Sequence, residues 1–156
     1  MAIHIVLVQP EIPPNTGNIA RTCAATGSVL HLVKPLGFSI DDKSLKRAGL
    51  DYWPFVKVEI HENLEEFMRD YGDRRMFLST TKGKKLYTEV NYRDGDMLLF
   101  GRETAGLPRE FIREHEEAAI RIPMSEDTRL RSFNLSNSAN IVLFEALRQL
   151  GFPGLL

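Results

Sequence analysis

The sequence predicts an α/β fold, a single domain around a largely parallel sheet. Three observations carry that expectation: short runs rich in Val, Ile and Leu recur along the chain, stretches with helical spacing separate several of them, and turn-forming residues collect in a few loops. The apolar runs fall at residues 3–8, 28–33, 56–60, 75–79, 97–100 and 119–122. At 156 residues, 43% of them hydrophobic and 26% charged, the chain suits one compact core. Residues 1–156 are therefore read as one domain, without internal repeat, low-complexity tract or Gly/Ser linker.

The elements follow in order. Ile3-His4-Ile5-Val6-Leu7-Val8 reads as the first strand, and the turn chemistry of Pro10 to Gly17 ends it. The first helix is bounded by Asn15 or Thr16 as N-cap and Gly27 as stop, with Ile19, Ala20, Cys23 and Ala24 on its inner face and Arg21 projecting away. Further turns fall at Lys82 to Lys85 and at Gly101 to Pro108. The last helix begins near Asn134 to Ser136 and runs to about Gln149, before Gly151 and Pro153; its core stripe is Ala139, Val142, Leu143, Ala146, Leu147 and Leu150. Ile141 and Phe144 lie off that stripe, which suits either a helix wedged deeply in its own domain or a subunit contact.

Composition narrows the function classes. A formal net charge of −1 excludes the smeared positive field of a protein that coats nucleic acid, so any RNA site must be local. The single cysteine, Cys23, excludes an intramolecular disulfide and a multi-cysteine zinc site. His4, His31, His61 and His115 have no metal-ligand spacing, so no metal is expected. With no basic leader and no apolar run near the roughly 20 residues that cross a bilayer, the expected compartment is the cytoplasm.

Three segments could carry chemistry. Pro10-Glu11-Ile12-Pro13-Pro14-Asn15-Thr16-Gly17-Asn18-Ile19-Ala20-Arg21 stands where a dinucleotide-binding fold has a Gly-rich phosphate loop, yet it holds three prolines and one glycine. It is better suited to presenting Asn15 and Arg21, although on the motif alone a helix cap and a solvated arginine are the simpler reading. Leu98-Leu99-Phe100-Gly101-Arg102-Glu103-Thr104-Ala105-Gly106-Leu107-Pro108 is a buried strand ending in a glycine-containing loop, the usual place for a ligand of an open α/β sheet; it fits a plain turn equally well. In the third, Ile120-Arg121-Ile122-Pro123-Met124 leads to Leu130-Arg131-Ser132-Phe133-Asn134-Leu135-Ser136-Asn137-Ser138, where polar groups exceed what a helix cap needs. Basic residues cluster as Lys43, Lys46 and Arg47 and as Lys82, Lys84 and Lys85, a pattern that by itself is more often solvated surface than a binding patch. Tyr52 and Trp53, near the first cluster, suit either base stacking or core.

Pro10–Asn18, Arg47–Tyr52, Thr80–Gly83, Phe100–Pro108, Arg121–Met124 and Asn134–Asn137 occur in the order of the SPOUT methyltransferases. Over nearly the whole chain they resemble the short SpoU-like family that methylates the wobble cytidine or uridine of leucine tRNAs. That resemblance implies a C-terminal trefoil knot, which general topology rules would have rejected. It also implies a homodimer acting on the tRNA anticodon stem-loop, with S-adenosylmethionine (S-adenosyl-L-methionine) as co-substrate. Ser79, Gly101, Ile122, Ser132 and Leu135 are the cofactor-binding residues so implied. Arg21, Asn15 and Glu103 are the catalytic candidates, with Glu103 orienting Arg21 within the chain or across the dimer, and Lys43, Lys46, Arg47 and Lys82 the tRNA contacts. A guanidinium stays protonated and has no acceptor, so Arg21 is expected to stabilise a developing alkoxide or grip a phosphate rather than act as a base. The competing expectations are a non-catalytic RNA-binding module on the same scaffold and a flavodoxin-like mononucleotide-binding protein.

Overall fold

The structure, a computed structural model, describes residues 2–41, 43, 47 and 52–156. Its strands are β1 (His4–Val8), β2 (Val29–Val33), β3 (Lys57–His61), β4 (Met76–Ser79), β5 (Lys85–Leu86), β6 (Met97–Phe100) and β7 (Ala119–Arg121). They form one seven-stranded sheet in the order β3-β2-β1-β6-β4-β7-β5, with every pairing parallel. The helices are α1 (Pro13–Thr26), α2 (Leu64–Tyr71), α3 (Arg109–Glu114) and α4 (Leu135–Gln149). The α/β, parallel-sheet expectation holds. β5 departs from it: Lys85 belongs to a strand on β7, not to a loop, and two residues are too few to show a period.

α1 starts earlier than expected. Pro13 and Pro14 are its first residues and Ile12 is the N-cap, so neither Asn15 nor Thr16 caps it. Proline suits a first turn because its missing N–H has no partner to lose there. Gly27, at φ 71, closes the helix in the left-handed region, as expected. α4 begins where predicted: the Asn134 side chain accepts from the backbone N–H of Ser136 at 2.9 Å and of Asn137 at 3.4 Å.

The sheet separates two apolar clusters. On one face α1 and α4 cover Ile3, Ile5, Leu7, Leu30, Leu32, Leu98, Phe100 and Ile120, with Cys23, Ala139, Val142 and Leu143 inserted from the helices. Burial raises the Cys23 thiol to about 12, so it is an inert core residue. Trp53, partly buried, packs against this cluster as well. On the other face Phe67 of α2 and Phe111 of α3 pack on Val6, Val8, Val33, Leu78, Met97 and Leu99.

The second face also buries a row of imidazoles. His4 Nδ1 lies 2.8 Å from His31 Nε2, and His31 Nδ1 lies 3.0 Å from His61 Nε2, the three rings coming from neighbouring strands. Glu59 Oε2 stands 3.3 Å from His31 Nδ1 and accepts from Tyr71 Oη at 2.7 Å. A neutral imidazole has one N–H, so the row is satisfied when each ring donates one way and accepts the other. The carboxylate favours the proton on His31 Nδ1, which makes His31 Nε2 the acceptor from His4. Burial lowers the His31 pKa to about 3, and it lowers that of His4 as well. Among the described residues no group of His, Cys, Asp and Glu is arranged to hold a metal ion.

Candidate functional site

The site is built where strands end. β6 finishes at Phe100, and residues 101–107 fold back on themselves: the Gly106 N–H donates to the Arg102 carbonyl at 2.8 Å. A Cβ on Gly101 would lie 2.0 Å from the Gly106 carbonyl carbon and the Leu107 nitrogen, so only glycine permits the closure. Gly106 itself adopts φ +69. The close approach that Gly101 permits is therefore to its own loop.

That fold-back projects Glu103 onto the start of α1. One carboxylate oxygen accepts from the Glu11 N–H at 2.8 Å; the other accepts from the Ile12 N–H at 2.9 Å and from Asn15 Nδ2 at 3.1 Å. Glu11 returns the contact, its Oε1 accepting from the Thr104 N–H at 3.1 Å and hydroxyl at 2.7 Å. These Thr104 hydrogen bonds hold the Glu11 carboxyl below its ordinary pKa. A helix without a local side-chain cap thus receives its anion from 91 residues along the chain, where the carboxylate meets the free amides and the positive end of the helix dipole. Two further features lock the segment: Gln9 takes φ 56 where β1 hands over to it, and Gly37 packs so tightly that a Cβ would lie 2.8 Å from the Glu11 Cα.

Beside this latch opens a cavity of about 1000 Å³. Ser79, Gly101, Ile122, Ser132 and Leu135 all line it, and so do Asn15, Glu103 and Lys82. The reason is topological: the segments leaving β4, β6 and β7 share one end of the sheet, and the start of α4 returns to it. Gly83 allows the turn after β4 to lie on β7, since a Cβ there would stand 2.4 Å from the Ile120 carbonyl carbon.

The remaining sequence candidates are spread more widely. Arg21 is exposed on α1 and does not line the cavity; its guanidinium stacks 4.6 Å over the Tyr52 ring, with Nη2 donating to the Tyr52 hydroxyl at 3.4 Å. Within this chain Glu103 holds the start of α1 and makes no contact with Arg21, so the arrangement that leaves it orienting the guanidinium is the one across a dimer. Lys43 and Arg47 are exposed, and Lys46 lies outside the described residues. Reasoning from sequence missed Glu11 and Thr104 as partners. Both stood inside the quoted motifs, and an unassigned carboxylate in a proline-stiffened loop was the available signal.

A family model described as the SpoU rRNA Methylase family matches residues 2–144. The chain belongs to the SpoU methylase family. Within that family it is 53% identical to the tRNA (cytidine(34)-2'-O)-methyltransferase of Methylovorus glucosotrophus, over 96% of this chain and 97% of the relative. A solved structure described as giving structural insights into the 2-OH methylation of C/U34 on tRNA shares 43% identity at a TM-score of 0.90, covering 96% of this chain and 97% of that one. The AdoMet-bound rRNA methyltransferase of Sinorhizobium meliloti shares 29% identity at a TM-score of 0.85, over 96% of this chain and 57% of its own. The SpoU fold is thus shared with larger methyltransferases that carry further sequence.

Proposed function

We propose that this chain, a SpoU methylase working as a single domain, transfers a methyl group from S-adenosylmethionine to the ribose 2′-hydroxyl of the wobble cytidine or uridine of leucine tRNAs in the cytoplasm. One observation carries the reading: Ser79, Gly101, Ile122, Ser132 and Leu135, scattered over the sequence, line a single cavity at the carboxyl ends of the strands. The cavity suits the co-substrate. Apolar walls from Ile122, Leu107 and Leu135 can flank an adenine, while hydroxyls and backbone groups around Ser79 and Ser132 can meet its polar edges and the ribose. In this reading the C-terminal segment threads the trefoil knot of the family, which would hold the walls in place.

S-adenosylmethionine supplies an electrophilic methyl on sulfur, and the chain's residues have to bring the 2′-oxygen into line with it. Asn15, fixed by Glu103, stands at the edge of the cavity to hold the ribose. Arg21 is the residue suited to stabilising negative charge on the 2′-oxygen as its proton leaves, to solvent or another group. Its place outside the cavity of its own chain supports a homodimer in which each cavity receives the partner's Arg21. A surface for that second copy is present on α4, where Asn137, Ile141, Phe144 and Arg148 follow helical spacing and Phe144 is 45% exposed. The Oδ1 of Asn140, beside them, is buried with no hydrogen-bond partner among the described residues. Lys43, Lys46, Arg47 and Lys82 are the proposed contacts to the anticodon stem-loop.

The test is transfer of labelled methyl from S-adenosylmethionine to unmodified leucine tRNA, beside the same tRNA carrying a 2′-deoxy wobble nucleotide. Label on the first alone is the expected result. Label on both would move the reaction to another atom. Cofactor binding with no label on any tRNA would turn the reading to a binding module.

A further inference from the structure

The cavity has more positive charge at its rim than its co-substrate can use. Lys82, Lys84, Arg102, Arg109, Arg113 and Arg131 line it, against the carboxylates Glu103 and Glu116. Glu103 is spent on α1, and Glu116 pairs with Lys84. The Arg131 guanidinium is turned onto the carbonyls of Ser125 and Glu126, at 3.2 and 2.9 Å. Lys82, Arg102, Arg109 and Arg113 remain, all exposed and without an ion pair among the described residues. Arg109 and Arg113 are four apart on α3, so they share one side of that helix. Glu110 and Glu114 follow each of them by one position, and neither lines the cavity.

S-adenosylmethionine carries a sulfonium, an ammonium and one carboxylate, and is itself a net cation. Four cations outside any ion pair, of which only Arg102 has the Glu11 carboxylate near it, repel the co-substrate more than they attract it. A polyanion reverses the sign. We infer that the α3 face of Arg109 and Arg113, with Arg102, is a phosphate-binding rim of the cavity that grips the RNA backbone beside the target nucleotide. The inference rests on the methyltransferase reading and extends its substrate contacts to residues that no motif singled out. Such contacts set register rather than sequence preference, and they also make binding salt-dependent. In a chain of net charge −1, local clustering is the only way to build that attraction.

The experiment compares the full-length protein with an R109Q/R113Q variant for binding an anticodon stem-loop RNA across a salt series, with S-adenosylmethionine affinity measured in parallel. The expected result is a roughly tenfold or greater loss of RNA affinity at low salt and a plot of log K against log salt that flattens by about 1.4 to 1.8, two phosphate contacts' worth. Cofactor affinity stays within about twofold, and R109K/R113K recovers most of the slope, because a phosphate contact needs charge more than the planar fork. An unchanged slope, or lost cofactor affinity with RNA affinity kept, overturns the rim. A wild-type protein that fails to bind the stem-loop at all overturns the RNA reading itself, whereas wild-type methylation with an indifferent variant sinks only the rim.

Discussion

The two faces of the sheet bury themselves by different means. The α1/α4 face is a continuous apolar contact, with Ile5, Leu7, Leu30 and Leu32 under Ile19, Val142 and Leu143, and none of these side chains needs a polar partner. The α2 face places His4, His31 and His61 in a row beneath Phe67 and Tyr71, and depends on each ring finding its neighbour. The first face carries the helix that the latch holds and the helix that closes the cavity. Its tolerance for change should be set by volume, whereas that of the second should be set by protons.

The contrast can be broken at several points, taken here from the largest expected effect to the smallest. Gly101→Ala places a methyl group 2.0 Å from backbone on the far side of the loop, so the fold-back must open and take Glu103 off α1. Methyl transfer should fall by at least about a hundredfold, a 1 Å misplacement being enough for that, and hydrogen exchange should quicken at Glu11 and Ile12. Leu143→Ala should cost about 2–5 kcal/mol in denaturant unfolding, as other buried leucines do, at every pH between 5 and 8. On the other face, His31→Leu leaves His4 and His61 without a partner, which should cost about 1–3 kcal/mol near neutrality, a smaller loss than at Leu143.

That His31 variant also sharpens the comparison through pH. His31 has a lower pKa folded, about 3, than its ordinary 6.5. Below pH 6.5 the unfolded chain therefore takes up a proton that the folded chain refuses, and stability falls as pH drops from about 6.5 towards 3. His31→Leu should flatten the upper part of this slope, while Leu143→Ala should shift the whole curve and leave its shape alone. A variant with unchanged slope would show that the imidazole row does not control the acid limb. At the small end, Arg129→Ala removes an exposed pair with Asp127 on neither face, and the melting temperature should stay within error.

Much of this was legible in the chain itself. The strands from Ile3 to Arg121 were visible because Val, Ile and Leu recur in short runs that a doubly covered parallel sheet has to bury. The start of α4 was visible because Asn134 caps its own helix, a contact spanning two or three residues. The five proposed cofactor residues came from order-preserving motifs rather than periodicity. The start of α1 was misplaced because its cap comes from Glu103, and no local pattern announces a carboxylate 91 residues away. β5 was missed because a two-residue strand has no alternation to read.

The sequence by itself determined most of the strands, the first and last helices apart from the start of α1, the parallel sheet and the family, since each depends on residues close together or on motifs in a fixed order. Only the tertiary structure decided who meets whom: Glu103 with the start of α1, Arg21 with Tyr52, the histidines with one another, and the Arg109–Arg113 side of α3 with the cavity. The physical reason is that parallel strands bring together residues separated by whole crossovers. A hydrogen bond or a charge cluster made there depends on register and twist, which leave no local trace in composition or spacing.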